Sequence, residues 1–269
     1  LEKLSTILCS KSKHKLKKVY YAGNSGAEAC EAALRLSYQV HYDKGNKSKK
    51  WVISRKQSYH GATADALAIS ERPNLEFHRN TLSKYRARIN MHHPKYLMKK
   101  NESLDDYAKR SANELEKKII QLGPQNVASF VGETIMGGLI GDVPPAPKYW
   151  QYIRKVCNKY DVHLILDEVY CGTGTSGKVY CCDYDNVNPD FIFIGKTLAA
   201  GYGPISAVIT SEKIASTFNK FQGRIQHTTT YQGHSLSASA ALAVQKIIHN
   251  DNFLKSVYEK GKYMRQTLE

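Results

Sequence analysis

The amino-acid sequence predicts an α/β fold with a mostly parallel central sheet and helices on both faces. Segments with strand character alternate along the chain with segments that have helical spacing. The strand segments are continuous apolar runs, such as "LIL" before Asp167 and "FIFI" at 191–194. Continuous runs are typical of strands that are buried on both faces of a parallel sheet. Ligands of such sheets bind at the carboxyl ends of the strands.

In the first part of the chain, the sequence predicts one helix and two short strands. Residues 26–40, "GAEACEAALRLSYQV", begin with glycine and carry small and apolar residues at helical spacing, which predicts a closely packed helix. Residues 51–54 and 66–70 have the pattern of short strands around a polar loop. Residues 71–101 are the least regular part of the chain, and we expect them to leave the sheet.

The rest of the chain continues the alternation. Residues 103–122 are predicted to form an exposed helix, which begins at the capping pattern Ser103-x-x-Asp106 and ends before Gly123-Pro124. Further predicted strands and helices are, in chain order, strand 127–133, helix 147–160, strands 162–169, 190–195 and 205–210, and helix 235–249. No internal repeat or low-complexity tract interrupts this order.

The composition is that of an ordinary globular protein. Of the 269 residues, 42% are hydrophobic and 23% are charged. No stretch reaches the roughly 18 to 20 apolar residues of a membrane span, and the N-terminus lacks the pattern of a signal peptide. We therefore expect a cytoplasmic protein without a membrane partner. The six cysteines show no paired CxxC spacing, so free thiols are expected and no metal site is predicted.

The chain is strongly basic, which makes nucleic acid a hypothesis to weigh. It has 39 Lys and Arg against 24 Asp and Glu, a net charge of +15. The basic residues are concentrated at 11–18, 44–56 and 84–100, and no recognisable nucleic-acid module surrounds any of these runs. We interpret the runs as solvated faces and expect no nucleic-acid partner.

A lysine directly follows the apolar run at 191–194, and this placement suggests a chemical role. Gly195-Lys196 puts an amine at the end of an interior strand, where loss of hydration favours the neutral, nucleophilic form. The alternative is a solvated loop lysine, which is common in a chain as basic as this one. The rest of the sequence has to decide between the two.

Asp167 and Glu168 end the buried strand "LILDEV". A single carboxylate there can simply cap the next turn, but a buried aspartate needs a partner, such as a metal, a cationic side chain or a protonated ring nitrogen. No His or Cys stands at metal-ligand spacing, which favours an organic cation. Lys196 follows after about one strand-crossover-strand unit, so an amine and an acid are expected on neighbouring strand ends. Together they fit pyridoxal 5′-phosphate, whose aldehyde needs a lysine and whose ring nitrogen needs an acid.

Two further segments are candidates for binding the phosphate. Ser25-Gly26-Ala27 stands at the start of a predicted helix, where free N–H groups and the helix dipole favour an anion. A Gly-Ala start is also common in simple packing roles. The hydroxyl-rich loop "HTTTYQGH" at 227–234 precedes a predicted helix, and its threonines can alternatively be read as helix caps.

Six motifs occur in a fixed order between residues 24 and 234: "NSGAEACEAA", "SYHGAT", "GETIMGG", "LILDEVYCGTGTSG", "FIGKTLAAGYGP" and "TYQGH". In order and spacing they resemble the class III (ω-amino acid) aminotransferases of pyridoxal-phosphate fold type I. The resemblance implies the α/β large domain of that fold and the cofactor pyridoxal 5′-phosphate.

The resemblance also assigns cofactor contacts to individual residues. The implied cofactor-binding residues are Ser25, Gly26, Ala27, Tyr59, His60, Glu133, Asp167, Val169, Lys196 and Thr230. Backbone N–H groups of Gly26 and Ala27 are implied to bind the phosphate, and Glu133 is implied to lie behind the cofactor.

Two of these residues are implied to be catalytic. Lys196 would be the Schiff-base lysine, and Asp167 would pair with the pyridinium nitrogen. Val169 is implied to pack on one face of the ring and Tyr59 on the other. Thr230 is implied to bind the phosphate of the neighbouring subunit's cofactor, which would make a homodimer necessary.

The resemblance further implies that the chain, residues 1–269, is the cofactor-binding large domain of a longer protein. The family's N-terminal segment and most of its C-terminal small domain have no counterpart in it. We therefore expect the residues that bind the substrate's carboxylate to lie outside the chain. Tyr170 is a departure, because the family often has Gln beside the cofactor at this place.

The implied activity is transfer of an amino group from an amino acid or ω-amine to a 2-oxo acid. The same residues serve aminomutases, racemases and decarboxylases that use this cofactor, and these remain alternatives. A non-enzymatic alternative is a basic nucleic-acid-binding protein with a vestigial cofactor site. A vestigial site would be expected to lose Lys196 or Asp167, and both are present.

Overall fold

The computed structural model describes residues 1–11, 16–72, 78, 81–221 and 223–268. Its sheet has seven strands in the order β1-β7-β6-β5-β4-β2-β3. The strands are β1 Leu16–Gly23, β2 Trp51–Arg55, β3 Arg86–Ile89, β4 Val127–Glu133, β5 His163–Asp167, β6 Phe191–Ile194 and β7 Ser206–Ser211. Strand β7 is antiparallel to both of its neighbours, and the other adjacent pairs are parallel. The predicted fold class is confirmed.

Helices cover both faces of the sheet. They are α1 Glu2–Ser10, α2 Gly26–Asp43, α3 Ala64–Ile69, α4 Pro94–Leu97, α5 Leu104–Leu122, α6 Tyr149–Lys159, α7 Glu212–Phe221, α8 Ser235–Ile248 and α9 Asp251–Leu268. Among the described helices, none combines the length and the apolar composition that a membrane crossing requires.

Strand β6 shows why the strands are apolar throughout. Successive side chains of a strand point to opposite faces of the sheet. Phe191 and Phe193 belong to the core under α2, whereas Ile192 and Ile194 belong to the core under α6 and α8. All four side chains are fully buried. Each face therefore needs an apolar residue, and the continuous pattern follows from burial on both sides.

The two long helices predicted at 26–40 and 103–122 form where expected, and both are capped. Ser25 caps α2 in a reciprocal pair with Glu28, in which each side chain bonds the other residue's backbone N–H. The Ser103 hydroxyl accepts a hydrogen bond from the Asp106 N–H at 3.1 Å, and α5 ends at Leu122, directly before Gly123. The expectation that α5 is exposed was wrong, because one of its faces is buried in the core.

Two sequence interpretations of the region after β2 were wrong. Residues 66–70 belong mainly to helix α3, since their Ala and Leu residues favour a helix and the run is too short to decide by periodicity. Residues 71–101 do not simply leave the sheet, because 86–89 return to it as the edge strand β3, parallel to β2. Residues 73–77 and 79–80 of this segment lie outside the described residues.

The basic runs are only partly solvated faces. Lys17 and Lys18 are exposed, but Lys49 is buried and its ammonium donates to four backbone carbonyls at 2.8–3.3 Å. Arg55 is 1% exposed, with its guanidinium 5.1 Å from the centroid of the Trp150 ring. These two cations are structural, because Lys49 bonds backbone carbonyls of the interior and Arg55 donates to the Glu133 carbonyl. The six cysteines are free thiols, as predicted.

Candidate active site

A cavity of about 880 Å³ lies at the carboxyl ends of β4, β5 and β6. The ends of these three strands, the start of α2 and the loop after β2 contribute residues to its walls. The cavity brings together all but one of the residues that the sequence implicated: Ser25, Gly26, Ala27, Tyr59, His60, Glu133, Asp167, Val169 and Lys196. This is the edge at which parallel sheets bind their ligands.

Asp167 ends β5 and is the buried acid of the cavity. It is 5% exposed, and its Oδ2 lies 2.8 Å from Nδ1 of His60. Its Oδ1 accepts a hydrogen bond from the Val169 N–H at 3.0 Å. The two contacts fix the orientation of the carboxylate. His60 is itself buried, and its Nε2 has no hydrogen-bond partner among the described residues.

Glu133 ends β4 beside Asp167, with which it pairs in the sheet register. Burial raises the pKa of Glu133, and the neighbouring Asp167 raises it further, whereas His60 lowers it. One carboxyl oxygen, Oε2, is buried without a hydrogen-bond partner in the part of the chain that the structure describes. Two adjacent strands thus end in acids, and one of the acids keeps an unpaired oxygen at the cavity wall.

Lys196 enters the same cavity, but it is exposed and not buried as predicted. The physical reason is that β6 already ends at Ile194, and Lys196 begins a turn of 3-10 helix that opens toward the cavity. Its φ angle of 40° is rare for a residue with a Cβ atom. The ammonium lies 5.2 Å from the centroid of the Tyr170 ring. The chain therefore holds this amine in an unusual backbone conformation at the cavity wall.

The start of α2 packs closely against the turns after β5 and β6. A Cβ atom at Gly26 would lie 2.7 Å from Cγ1 of Val169, and one at Gly195 would lie 3.4 Å from the backbone nitrogen of Gly26. Only glycine allows this approach at position 26 without displacement. The first N–H groups of a helix have no partner within the helix, so those of Gly26 and Ala27 are available to an anion in the cavity.

Ser25 has a different local role from the next two residues. Its hydroxyl lies 3.1 Å from Oε2 of Glu28, and its N–H donates to the same oxygen at 2.8 Å. The helix cap thus already uses both polar groups of Ser25. An anion at this helix start would compete with Glu28 for them.

Thr230 is the predicted site residue that does not reach this cavity. It is exposed in the loop before α8, which begins at Ser235 with His234 at the capping position. The alternative interpretation of the threonines as caps of this helix was wrong, because the Thr229 hydroxyl bonds the Ala22 carbonyl and Thr228 bonds Gln232. The side chain of Thr230 is exposed in this loop.

Further residues of the cavity wall carry no recognisable signal in the sequence. Arg72 lines the cavity, with its guanidinium carbon 3.9 Å from the centroid of the Tyr59 ring. It lies in the irregular segment after α3, where no motif or periodicity marks it. Ile135 and Ile205 add apolar surface to the wall. Glu168, next to Asp167, is not part of the wall: it is fully buried and accepts hydrogen bonds from the backbone N–H groups of two cysteines, Cys181 and Cys182, at 2.7 Å.

Comparison with known proteins gives one consistent result. The family described as Aminotransferase class-III matches residues 1–269. An uncharacterized aminotransferase of Schizosaccharomyces pombe is 35% identical over 268 residues, 99% of this chain and 58% of the relative. A transaminase obtained by ancestral reconstruction has a TM-score of 0.91 and 34% identity, over 99% of this chain and 58% of its own. The omega transaminase of Pseudomonas jessenii in complex with PMP has a TM-score of 0.85 and 31% identity, over 93% of this chain and 56% of its own. The chain spans a little over half the length of these proteins.

Proposed function

This chain belongs to the class III aminotransferase family, and on that basis we propose that the protein containing it is a pyridoxal-phosphate-dependent aminotransferase. Its reaction would move an amino group from an amino acid or ω-amine to a 2-oxo acid. One observation carries the proposal: Asp167, held by His60 at 2.8 Å, and Lys196 stand at neighbouring strand ends in one cavity.

The residues of the cavity fit this cofactor. A ring that carries a protonated nitrogen needs a buried carboxylate, and Asp167 provides one whose two oxygens are already oriented. The ring needs apolar or aromatic surfaces on its faces, and Val169 and Tyr59 both line the cavity. The phosphate needs N–H donors, which the first turn of α2 supplies. The unpaired oxygen of Glu133 offers a further acceptor at the wall.

The two catalytic residues would have different tasks. When bound, the cofactor supplies a ring that withdraws electrons from the bonds next to the substrate amine. Lys196 would hold the cofactor through its amine and then, once the substrate has displaced it, move a proton as a general base. Asp167 would keep the proton on the ring nitrogen, and His60 would hold the Asp167 carboxylate in place.

Borohydride reduction of the cofactor-loaded protein, followed by peptide mapping, tests the assignment. Reduction makes the bond between the cofactor and its lysine permanent, so the labelled peptide should contain Lys196. The matched control is Lys178→Gln, since Lys178 follows β5 in a loop outside the cavity and its loss should leave labelling unchanged. Label on another lysine would contradict the assignment.

The reaction type needs a separate test, because the same residues serve related chemistry. An aminotransferase consumes one 2-oxo acid acceptor for each amino group that it takes from a donor, whereas an aminomutase, racemase or decarboxylase needs no second substrate. Amine donors should therefore be assayed with and without pyruvate or 2-oxoglutarate. Turnover that does not depend on the acceptor would favour the alternatives.

We also propose that the chain is the cofactor-binding large domain and that the protein is a cytoplasmic homodimer. Two observations support the dimer: Thr230 is exposed outside the cavity, and it does not cap α8. In a dimer its hydroxyl would reach the phosphate of the partner's cofactor, so cofactor binding should strengthen association by mass action. The free cysteines support a reducing compartment.

Sedimentation of the full-length protein with and without cofactor, at several concentrations, tests the dimer. Thr230→Ala should weaken the coupling between cofactor and association, and Thr228→Ala, in the same loop, serves as the control. A protein that stays monomeric while it binds the cofactor tightly would show that one chain builds the whole site.

A further inference from the structure

The charges on the cavity wall leave one cation without a role in the proposed function. The wall has two cationic side chains among the described residues, Lys196 and Arg72. Lys196 is committed to the cofactor. The acids Asp167 and Glu133 lie on strand ends at the floor, and Asp167 already has His60 as its partner. Arg72 is therefore the permanent positive charge that remains for a bound substrate.

Arg72 is held in a conformation suited to binding an anion. Its guanidinium carbon lies 3.9 Å from the centroid of the Tyr59 ring, which is stacking distance. Stacking uses the face of the guanidinium and leaves its N–H groups, which lie in the plane, free to bond a planar oxyanion at two points. Among the residues that the structure describes, no carboxylate pairs with Arg72, although the chain has many other ion pairs. Arg72 is exposed at this wall, so an anion that enters the cavity can reach its guanidinium.

The backbone next to Arg72 is tied to the loop that carries Tyr59 and His60. The Ser70 hydroxyl accepts a hydrogen bond from the His60 N–H at 2.8 Å. The Glu71 N–H donates to the Ser58 carbonyl at 2.8 Å. The residue before Arg72 is thus fixed beside the loop that carries Tyr59, and the contact with the Tyr59 ring then places the guanidinium at the cavity wall.

We propose that Arg72, stacked on Tyr59, forms an anion subsite in the cavity and binds a carboxylate of the amino donor or of the 2-oxo acid. This rests on the proposed function for the identity of the substrates. A bidentate pair between guanidinium and carboxylate orients as well as attracts, and it would favour substrates with a carboxylate over simple amines. It also revises the expectation that every residue that binds the substrate's carboxylate lies outside this chain.

The first experiment measures binding without catalysis. Succinate, as a plain dicarboxylate, is titrated by calorimetry into the cofactor-free full-length protein in a buffer without phosphate. Arg72→Gln should weaken succinate binding about tenfold to a hundredfold, the usual effect of losing hydrogen bonds to a charged group. Arg72→Lys keeps the charge without the planar fork and should lose less. The control is Lys56→Gln, an exposed cation near β2 outside the cavity, which should change binding less than twofold.

The second titration separates the substrate's carboxylate from the cofactor's phosphate. Inorganic phosphate and pyridoxal phosphate should bind the Arg72→Gln protein with unchanged affinity. Weaker binding of phosphate with unchanged binding of succinate would overturn the proposal and assign Arg72 to the cofactor. Equal losses for both anions, equal effects of the Arg72 and Lys56 variants, or no succinate binding by the parent protein would also overturn it.

The third measurement uses the loaded enzyme. Arg72→Gln should raise KM for 2-oxoglutarate while the half-reaction with benzylamine, which has no carboxylate, keeps its rate. Equal loss in both half-reactions would overturn the subsite. If the parent protein transaminates no donor, the proposed function fails, whereas the succinate titration still decides the role of Arg72.

Discussion

The protein should lose stability as the pH falls below 6.5, because folding buries a neutral histidine that cannot accept a second proton. His92 is 1% exposed and lies between the rings of Tyr107 and Tyr149, at centroid distances of 4.8 and 3.8 Å. Its Nε2 accepts a hydrogen bond from the Ala146 N–H at 3.0 Å, so the proton of the neutral ring is on Nδ1, 3.0 Å from the Ser111 hydroxyl. A second proton would place two N–H groups against each other.

The size of the effect follows from the pKa. Burial, and then the charges of Arg55 and His93, lower the pKa of His92 from 6.5 to about 3. Between pH 6.5 and 3, His92 is therefore protonated in the unfolded chain but neutral in the folded chain. Stability is fully present above pH 6.5 and falls with decreasing pH until the ring is protonated in the folded state. Between pH 7.5 and 5.0 this one group costs about 2 kcal/mol of unfolding free energy.

Urea unfolding at pH 7.5 and 5.0, followed by circular dichroism, measures that difference. The loss of unfolding free energy between the two pH values should be about 2 kcal/mol smaller in His92→Gln than in the parent protein. Ile153→Val is the control: it lowers stability by about 1 kcal/mol in the same core without removing a titrating group, so its pH dependence should match the parent. An unchanged pH dependence in His92→Gln would refute the reasoning.

Three further outcomes are expected. Asp167→Asn should leave the unfolding free energy within about 1 kcal/mol of the parent but lower kcat by a hundredfold or more, roughly the effect of losing one electrostatic contact to a charged centre; near-normal transamination would remove Asp167 from the mechanism. Gly26→Ala should weaken binding of the cofactor, measured by its absorbance on titration, because the new Cβ would lie 2.7 Å from Val169; unchanged affinity would mean that the helix start moves freely. Ser103→Ala should lower the unfolding free energy in urea by about 1 kcal/mol, since it removes a helix cap, and no change would show that the cap is replaced by water.

The parts of the fold that the sequence predicted are those in which local pattern and burial agree. The run at 191–194 is apolar at every position because its side chains alternate between the two cores, one on each face of the sheet. The capped helix after Ser103 was predictable because the cap and the terminal glycine are local signals. Asp167 and Lys196 were expected at neighbouring strand ends, and both line the cavity, because each stands at the end of a strand that could be recognised; the exposure of Lys196 was not predicted.

Other features depend on contacts between distant parts of the chain. Residues 66–69 belong to helix α3, which packs on α2 and the sheet; their Ala and Leu residues favour a helix, but a five-residue pattern does not contain the packing that decides between helix and strand. Lys49 is buried because four carbonyls from two other segments meet at one point. Arg72 reaches the cavity through hydrogen bonds that its neighbours make with the loop after β2. Basic residues look alike in the sequence, and only the fold separates the structural ones from the ones that face a ligand.

The order of the strands has a consequence for the newly made protein. Strand β1, near the start of the chain, lies at one edge of the sheet, and within the described part of the chain its one partner strand is β7. Tyr20 pairs with Val208, roughly 190 residues later, which at about 5 to 20 residues per second takes a ribosome on the order of 10 to 40 seconds to synthesise. During that interval neither edge of β1 is paired, and the strand is a target for chaperones or for pairing with another nascent chain. Slower translation between the two strands should therefore increase aggregation during synthesis without changing the stability of the finished protein.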